Sequence, residues 1–114
     1  MNVSQVLNAA ADLIEPEGAW FKGNMAANAR GEEYDDAYES VAPDAVCFCA
    51  IGAIERVTGG GLLEARAIAY LGKVVEERAG ISIIPDWNDA PERTQHEVVA
   101  VFREAAKRAG AGRS

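Results

Sequence analysis

Residues 45–54 form an unbroken apolar run, Ala-Val-Cys-Phe-Cys-Ala-Ile-Gly-Ala-Ile, with no charge and no strong hydrogen-bonding side chain. Such a stretch belongs in an interior, and whatever surrounds it has to be built to cover it. Val46, Ala50, Ala53, Ile54 and Val57 recur on one helical face, while Cys47, Phe48 and Ile51 widen that face. The spacing predicts a helix over 45–57, opened by Pro43-Asp44 and apolar around much of its circumference, at the centre of the fold. Cys49, Ala50, Gly52 and Ala53 are small and would let another helix or loop approach closely. Thr58-Gly59-Gly60-Gly61 stops the helix. No Lys-Ser/Thr follows these glycines, so they are a connection and not a phosphate loop.

Three further helices would cover this element. The first is expected to be capped by Ser4, with Val6, Leu7, Ala10, Leu13 and Ile14 at helical spacing, and to end before Pro16. The third runs over about 62–79, with Leu63, Ala67, Tyr70, Leu71, Val74 and Val75 as its apolar set, and stops at Gly80. The last begins at a capping box, Thr94-Gln95-His96-Glu97, and buries Val98, Val101, Phe102 and Ala105. The expected fold is all-α: one domain over 1–114, a compact bundle of about four helices, with the 45–57 helix packed by the first, third and last. Ile81 to Pro85 alternates briefly like a strand, which leaves room for a short strand pair between residues near 20 and 83. Residues 24–44 read as an acidic loop or insertion, and residues 86–91 as a turn-rich loop.

The net charge is −7, and it is unevenly spread. Residues 1–44 hold nine acids against Lys22 and Arg30, while residues 45–114 hold nine acids against nine bases, so the imbalance lies in the first part. Its densest stretch is Glu32, Glu33, Asp35, Asp36 and Glu39. A chain of this charge repels phosphate backbones, which disfavours direct nucleic-acid binding and permits a protein partner with a basic surface. No apolar run approaches the length of a membrane span, and no secretory signal is visible at the amino terminus, so a cytoplasmic protein is expected. A wide apolar helix leaves a homodimer open.

The chemistry on offer is sparse. Cys47 and Cys49 are too close in sequence for an unstrained disulfide. With a single histidine there is no zinc set, and the acidic stretch lacks the alternating aspartates and central glycine of a calcium loop, so neither metal nor cofactor is expected. Cys49 or Cys47, near a helix start that could lower a thiol pKa, with His96 as base and Asn88 or Asp89 to orient it, would outline a cysteine-dependent hydrolase. Both cysteines sit in an apolar run, where packing is the commoner role. Trp87-Asn88-Asp89 is the stronger candidate: a ring for contact area beside an amide and a carboxylate for direction, with Trp20 as a second wall of a binding patch. Against this, a packing tryptophan followed by an Asx turn is the bland alternative.

Three segments together resemble an uncharacterised family of small bacterial and phage proteins. They are Ala10-Ala11-Asp12-Leu13-Ile14 followed by Gly18, Trp20 and Gly23; Cys49-Ala50-Ile51-Gly52-Ala53-Ile54; and Trp87-Asn88-Asp89 followed by Pro91, Arg93, Thr94 and Val98. The order and spacing of the three carry the likeness, which skips the acidic stretch. Phe48 stands where the family has a larger aromatic, and Cys47 and His96 lie outside its pattern. The resemblance implies a compact fold and no particular chemistry. The expectation for function is a non-enzymatic protein-binding or accessory protein that uses the acidic half, the Trp87 loop, or both. Family context would make a phage or mobile-element inhibitor of a host protein one concrete version. The cysteine hydrolase is the alternative.

Overall fold

The computed structural model describes residues 1–35 and 42–111. The elements in chain order are α1 (Val3–Ile14), β1 (Ala26–Asn28), β2 (Glu33–Tyr34), β3 (Ala45–Phe48), α2 (Ala50–Thr58), α3 (Gly61–Ala79), α4 (Ile84–Asn88) and α5 (Gln95–Ala111). The protein is mainly α, with a small antiparallel sheet of order β2-β1-β3. Among the described residues, no helix is long and apolar enough to cross a membrane.

α1 packs against α5, α2 and α3. Its buried side, Val6, Leu7, Ala10, Ala11 and Ile14, is the one its periodicity predicts. Its cap is Asn2, not Ser4: the Asn2 side chain accepts from the Gln5 N–H, and the Gln5 side chain accepts from the Asn2 N–H. Ser4 lies inside the helix and its hydroxyl donates to the Ala106 carbonyl of α5 at 2.8 Å. Gln95 closes the other end of this pair, its amide donating to the Ile14 and Pro16 carbonyls at 2.7 Å each. α5 begins at the expected box, where Thr94 and Glu97 exchange hydrogen bonds, but its principal neighbours are α1 and α3, not α2.

The central apolar run is divided. Ala45–Phe48 is strand β3 and only Ala50–Thr58 is helix, with Cys49 as the N-cap residue between them. A run that is apolar on every side carries no periodicity to separate strand from helix. What decides is the hairpin β1–β2, folded from the acidic stretch, which offers β1 as a partner for β3: Ala26 lies opposite Phe48 and Ala27 opposite Cys47. The strand pairing of the Trp20 segment is also with β3. Trp20 bridges Phe48 in parallel, the Phe48 N–H donates to the Ala19 carbonyl, and the Phe21 N–H donates to the Phe48 carbonyl. Residue 83 does not pair with it; it precedes α4, a short helix with Pro85 in its first turn where a loop was expected.

Gly52 shows how closely these parts meet. A Cβ placed there would lie 2.0 Å from the Met25 carbonyl oxygen. The small residues at the start of α2 therefore receive a backbone segment, the one entering β1. The Met25 carbonyl also accepts from the Cys49 N–H at 3.0 Å.

Candidate functional site

The Trp87-Asn88-Asp89 segment lies at the end of α4, where it meets the Trp20 segment and the first turn of α2. Asn88 is fully buried and uses its whole amide. Its Oδ1 accepts from Trp20 Nε1 at 2.8 Å and from the Ala50 N–H at 3.0 Å. Its Nδ2 donates to the Phe21 carbonyl at 3.0 Å and to Asp89 Oδ1 at 2.9 Å. The Ala50 N–H belongs to the first helical turn, which has no partner within its own helix, so Asn88 caps α2 from a distance. Trp87 is 1% exposed and packs in the core. The Arg93 guanidinium covers its ring at 5.2 Å and donates through Nε to its carbonyl. Lys22 does the same for Trp20: its ammonium lies 5.3 Å from the ring centroid and donates to the Ala90 carbonyl. The polar and aromatic surfaces of Trp87 and Asn88 are thus consumed inside the protein, and Trp20 is half-buried.

Asp89 is the exposed member of the segment. Its Oδ1 accepts from the Gly23 N–H at 3.0 Å and from Asn88. Gly23 can present that N–H because its φ is +104°, a conformation other residues rarely adopt. Asp89 lines a cleft of about 170 Å³ together with Asp35, Asn24, Met25, Cys49 and Pro85. Two carboxylates thus share the cleft, and one of them is oriented by two N–H donors.

Cys49 also lines the cleft but is only 7% exposed. Its Sγ accepts from the Gly52 N–H and lies 3.9 Å from Met25 Sδ. Burial pushes its thiol pKa up, outweighing the helix N–H groups that pull the other way. Cys47 is half-buried in β3 with its thiol toward the Ala27 carbonyl, and burial raises its pKa as well. His96 lines a different hollow, with Glu15, Gln95 and Arg103. No hydrogen bond joins the histidine to either thiol among the described residues, and these hold no group of three His, Cys, Asp or Glu able to ligate a metal.

Of the acidic stretch, exposed Glu32 takes part in a hydrogen-bond network around Asn28. Asn28 Nδ2 donates to Glu32 Oε1 at 2.8 Å, to Asp44 Oδ2 at 3.2 Å and to the Tyr34 hydroxyl at 3.3 Å. Asn28 Oδ1 accepts from the Arg30 and Glu32 N–H groups. The Tyr34 hydroxyl donates to Asp44 at 2.8 Å, and Arg30 pairs with Glu32 at 2.6 Å. Hydrogen bonds from Asn28 and Arg30 hold the Glu32 carboxyl below its ordinary pKa; those from Tyr34 and Asn28 do the same for Asp44. Glu33 accepts from the Asn24 amide. Asp35 lines the cleft, while Asp36 and Glu39 fall outside the described residues. Asn28, Tyr34 and Asp44 carry no sequence signal that singles them out, since their contacts arise from the hairpin.

Together these features define a small, mainly helical domain with a three-stranded sheet, in which buried Asn88 ties the Trp20 segment to α2. A family model matches residues 1–108, and the chain belongs to the family of unknown function DUF6197. No curated protein and no solved structure matches it.

Proposed function

We propose that this is a non-catalytic binding protein, and that the Asp35–Asp89 cleft is a socket for one basic side chain of a partner protein. The observation that carries the reading is the cleft itself. At about 170 Å³ it is smaller than the roughly 300–1,000 Å³ of small-molecule sites, and suits a single long side chain. Its two carboxylates and the Asn24 amide match a guanidinium or ammonium group, and the apolar walls from Met25 and Pro85 match its methylene stem. Asp89 enters binding already oriented, so little is lost in ordering it. Acidic residues of the neighbouring hairpin add a field that draws a basic surface toward the cleft.

What argues against the hydrolase reading is chemical. A thiol whose pKa burial raises, with His96 in a different hollow, is a poor nucleophile. The test uses capture of partners from a cell lysate with wild type and Asp35→Lys side by side. Asp35 is exposed, so the variant is expected to keep its circular dichroism spectrum while losing the captured protein. Retention of the same partner by Asp35→Lys at raised salt would overturn the socket. Alkylation of Cys49 in the native protein, faster than global unfolding and still rapid below neutral pH, would revive the hydrolase.

A further inference from the structure

The long helix α3 carries a second surface, of opposite character to the cleft. In a chain with 18 acids and 11 bases, an unpaired cation is the exception. Arg30, Arg93, Arg103 and Arg108 are in ion pairs, and Lys22 sits on backbone carbonyls. Arg66 and Lys73, like Lys107 on α5, make neither a hydrogen bond nor an ion pair among the described residues. They lie seven residues apart on α3, two turns and about 10.5 Å along the axis, on one face of the helix. Exposed Ala69 lies between them.

The surface between these cations is concave and apolar. Three adjoining hollows of about 380–400 Å³ follow α3 and share Ala69. Leu63 and Tyr70 line one end, Ile68 and Ile84 the other. Leu62, on the same face of the helix, is 71% exposed.

We propose that this face of α3 is a docking groove for an amphipathic helix of a partner protein, one that carries carboxylates two turns apart beside an apolar stripe. Charge complementarity selects this occupant: the groove offers two free cations at a helical interval, with apolar floor between them, and Glu76 bounds it beyond Lys73. A second copy of the chain fits poorly. An antiparallel α3 mate centred between Ala69 and Tyr70 would set Arg66 of one copy against Lys73 of the other. Two cations around an apolar floor are also too few to hold a nucleic-acid backbone against a net charge of −7.

The probe is a synthetic amphipathic peptide of about 18 residues, long enough for helix to form on docking, with leucines on one face and glutamates seven apart. A version with lysine for glutamate and a scramble of the same composition accompany it. Titration by fluorescence anisotropy and amide-shift mapping on the full chain should give saturable binding of the glutamate peptide, with shifts concentrated at residues 62–73. Arg66→Glu/Lys73→Glu should weaken it at least about tenfold, while Lys107→Glu on α5 should change it less than about twofold. Both cations are exposed and unpaired, so the double variant should fold, which circular dichroism checks. Equal binding of the lysine peptide or the scramble, shifts elsewhere, or indifference to the double reversal would overturn the proposal. So would sedimentation showing self-association through Ala69, or binding to phosphatidylserine-containing vesicles that the double reversal abolishes.

Discussion

Two buried asparagines organise this protein, and they hold together different things. Asn28 binds residues close to it in sequence: Arg30, Glu32, Tyr34 and Asp44, all within the hairpin or at the edge of β3. Asn88 binds Trp20, Phe21 and Ala50, residues that only the finished fold brings near it. The first is 6% exposed and surrounded by charged groups; the second is itself wholly buried and bonds mostly to backbone and indole groups. Similar side-chain chemistry therefore serves a local brace in one place and a global one in the other. The difference is decided by what is left unpaired when the amide is removed.

The largest effect is expected at Asn88. Asn88→Ala strands the Trp20 indole N–H, the Ala50 N–H and the Phe21 carbonyl, and should cost about 4 kcal/mol, a large share of the roughly 5–15 kcal/mol of an ordinary domain. Urea denaturation checks it; a loss below about 1 kcal/mol would mean that water replaces the amide. Gly52→Ala comes next, at about 3 kcal/mol, because the added methyl overlaps a backbone carbonyl that cannot rotate away. An unchanged midpoint there would show that α2 and the β1 entry separate cheaply. Asn28→Ala should cost about 1–2 kcal/mol and act locally. Hydrogen exchange should quicken in β1 and β2 while α1 and α5 keep their protection, and uniform loss of protection would erase the contrast between the two asparagines.

The pH response should separate the regions further. The Glu32 and Asp44 pKa values are depressed in the folded state, so their contribution is present above the ordinary carboxylate range and disappears as pH falls through the folded values. Acid titration followed by amide shifts should loosen the hairpin before the Asn88 region, whose Asn88 amide and Trp20 and Ala50 donors do not titrate. Loss of both regions in one step would show that they are coupled. The smallest effect is expected from Arg30→Ala, an exposed pairing whose loss should leave the unfolding midpoint unchanged within error.

Much of the helical scaffold was legible in the sequence. The periodicity of α1, α3 and α5 places their buried faces, and the Thr94–Glu97 box marks the start of α5. The sheet was not legible, because its strands are two to four residues long and β1 is buried throughout, so alternation never appears. Ser4 is the cap its residue type predicts, but α5 takes the Ser4 hydroxyl and Asn2 caps the helix instead. The candidate site divided along the same line. Trp87-Asn88-Asp89 could be singled out by composition, but which of the three faces outward depends on partners at residues 20–23 and 50. The cleft joins residues from four separate stretches, and no local pattern announces such a meeting.

The cap that Asn88 places on α2 also bears on synthesis. Ribosomes deliver this chain from the amino end, so the residues of α2 and α3 emerge before residue 88 does. Until then the Ala50 N–H and the Trp20 indole lack their shared acceptor, and the joint between sheet and helices stays open to water. Commitment to the native arrangement is thereby deferred until α4 has been made and α5 can follow it onto α1.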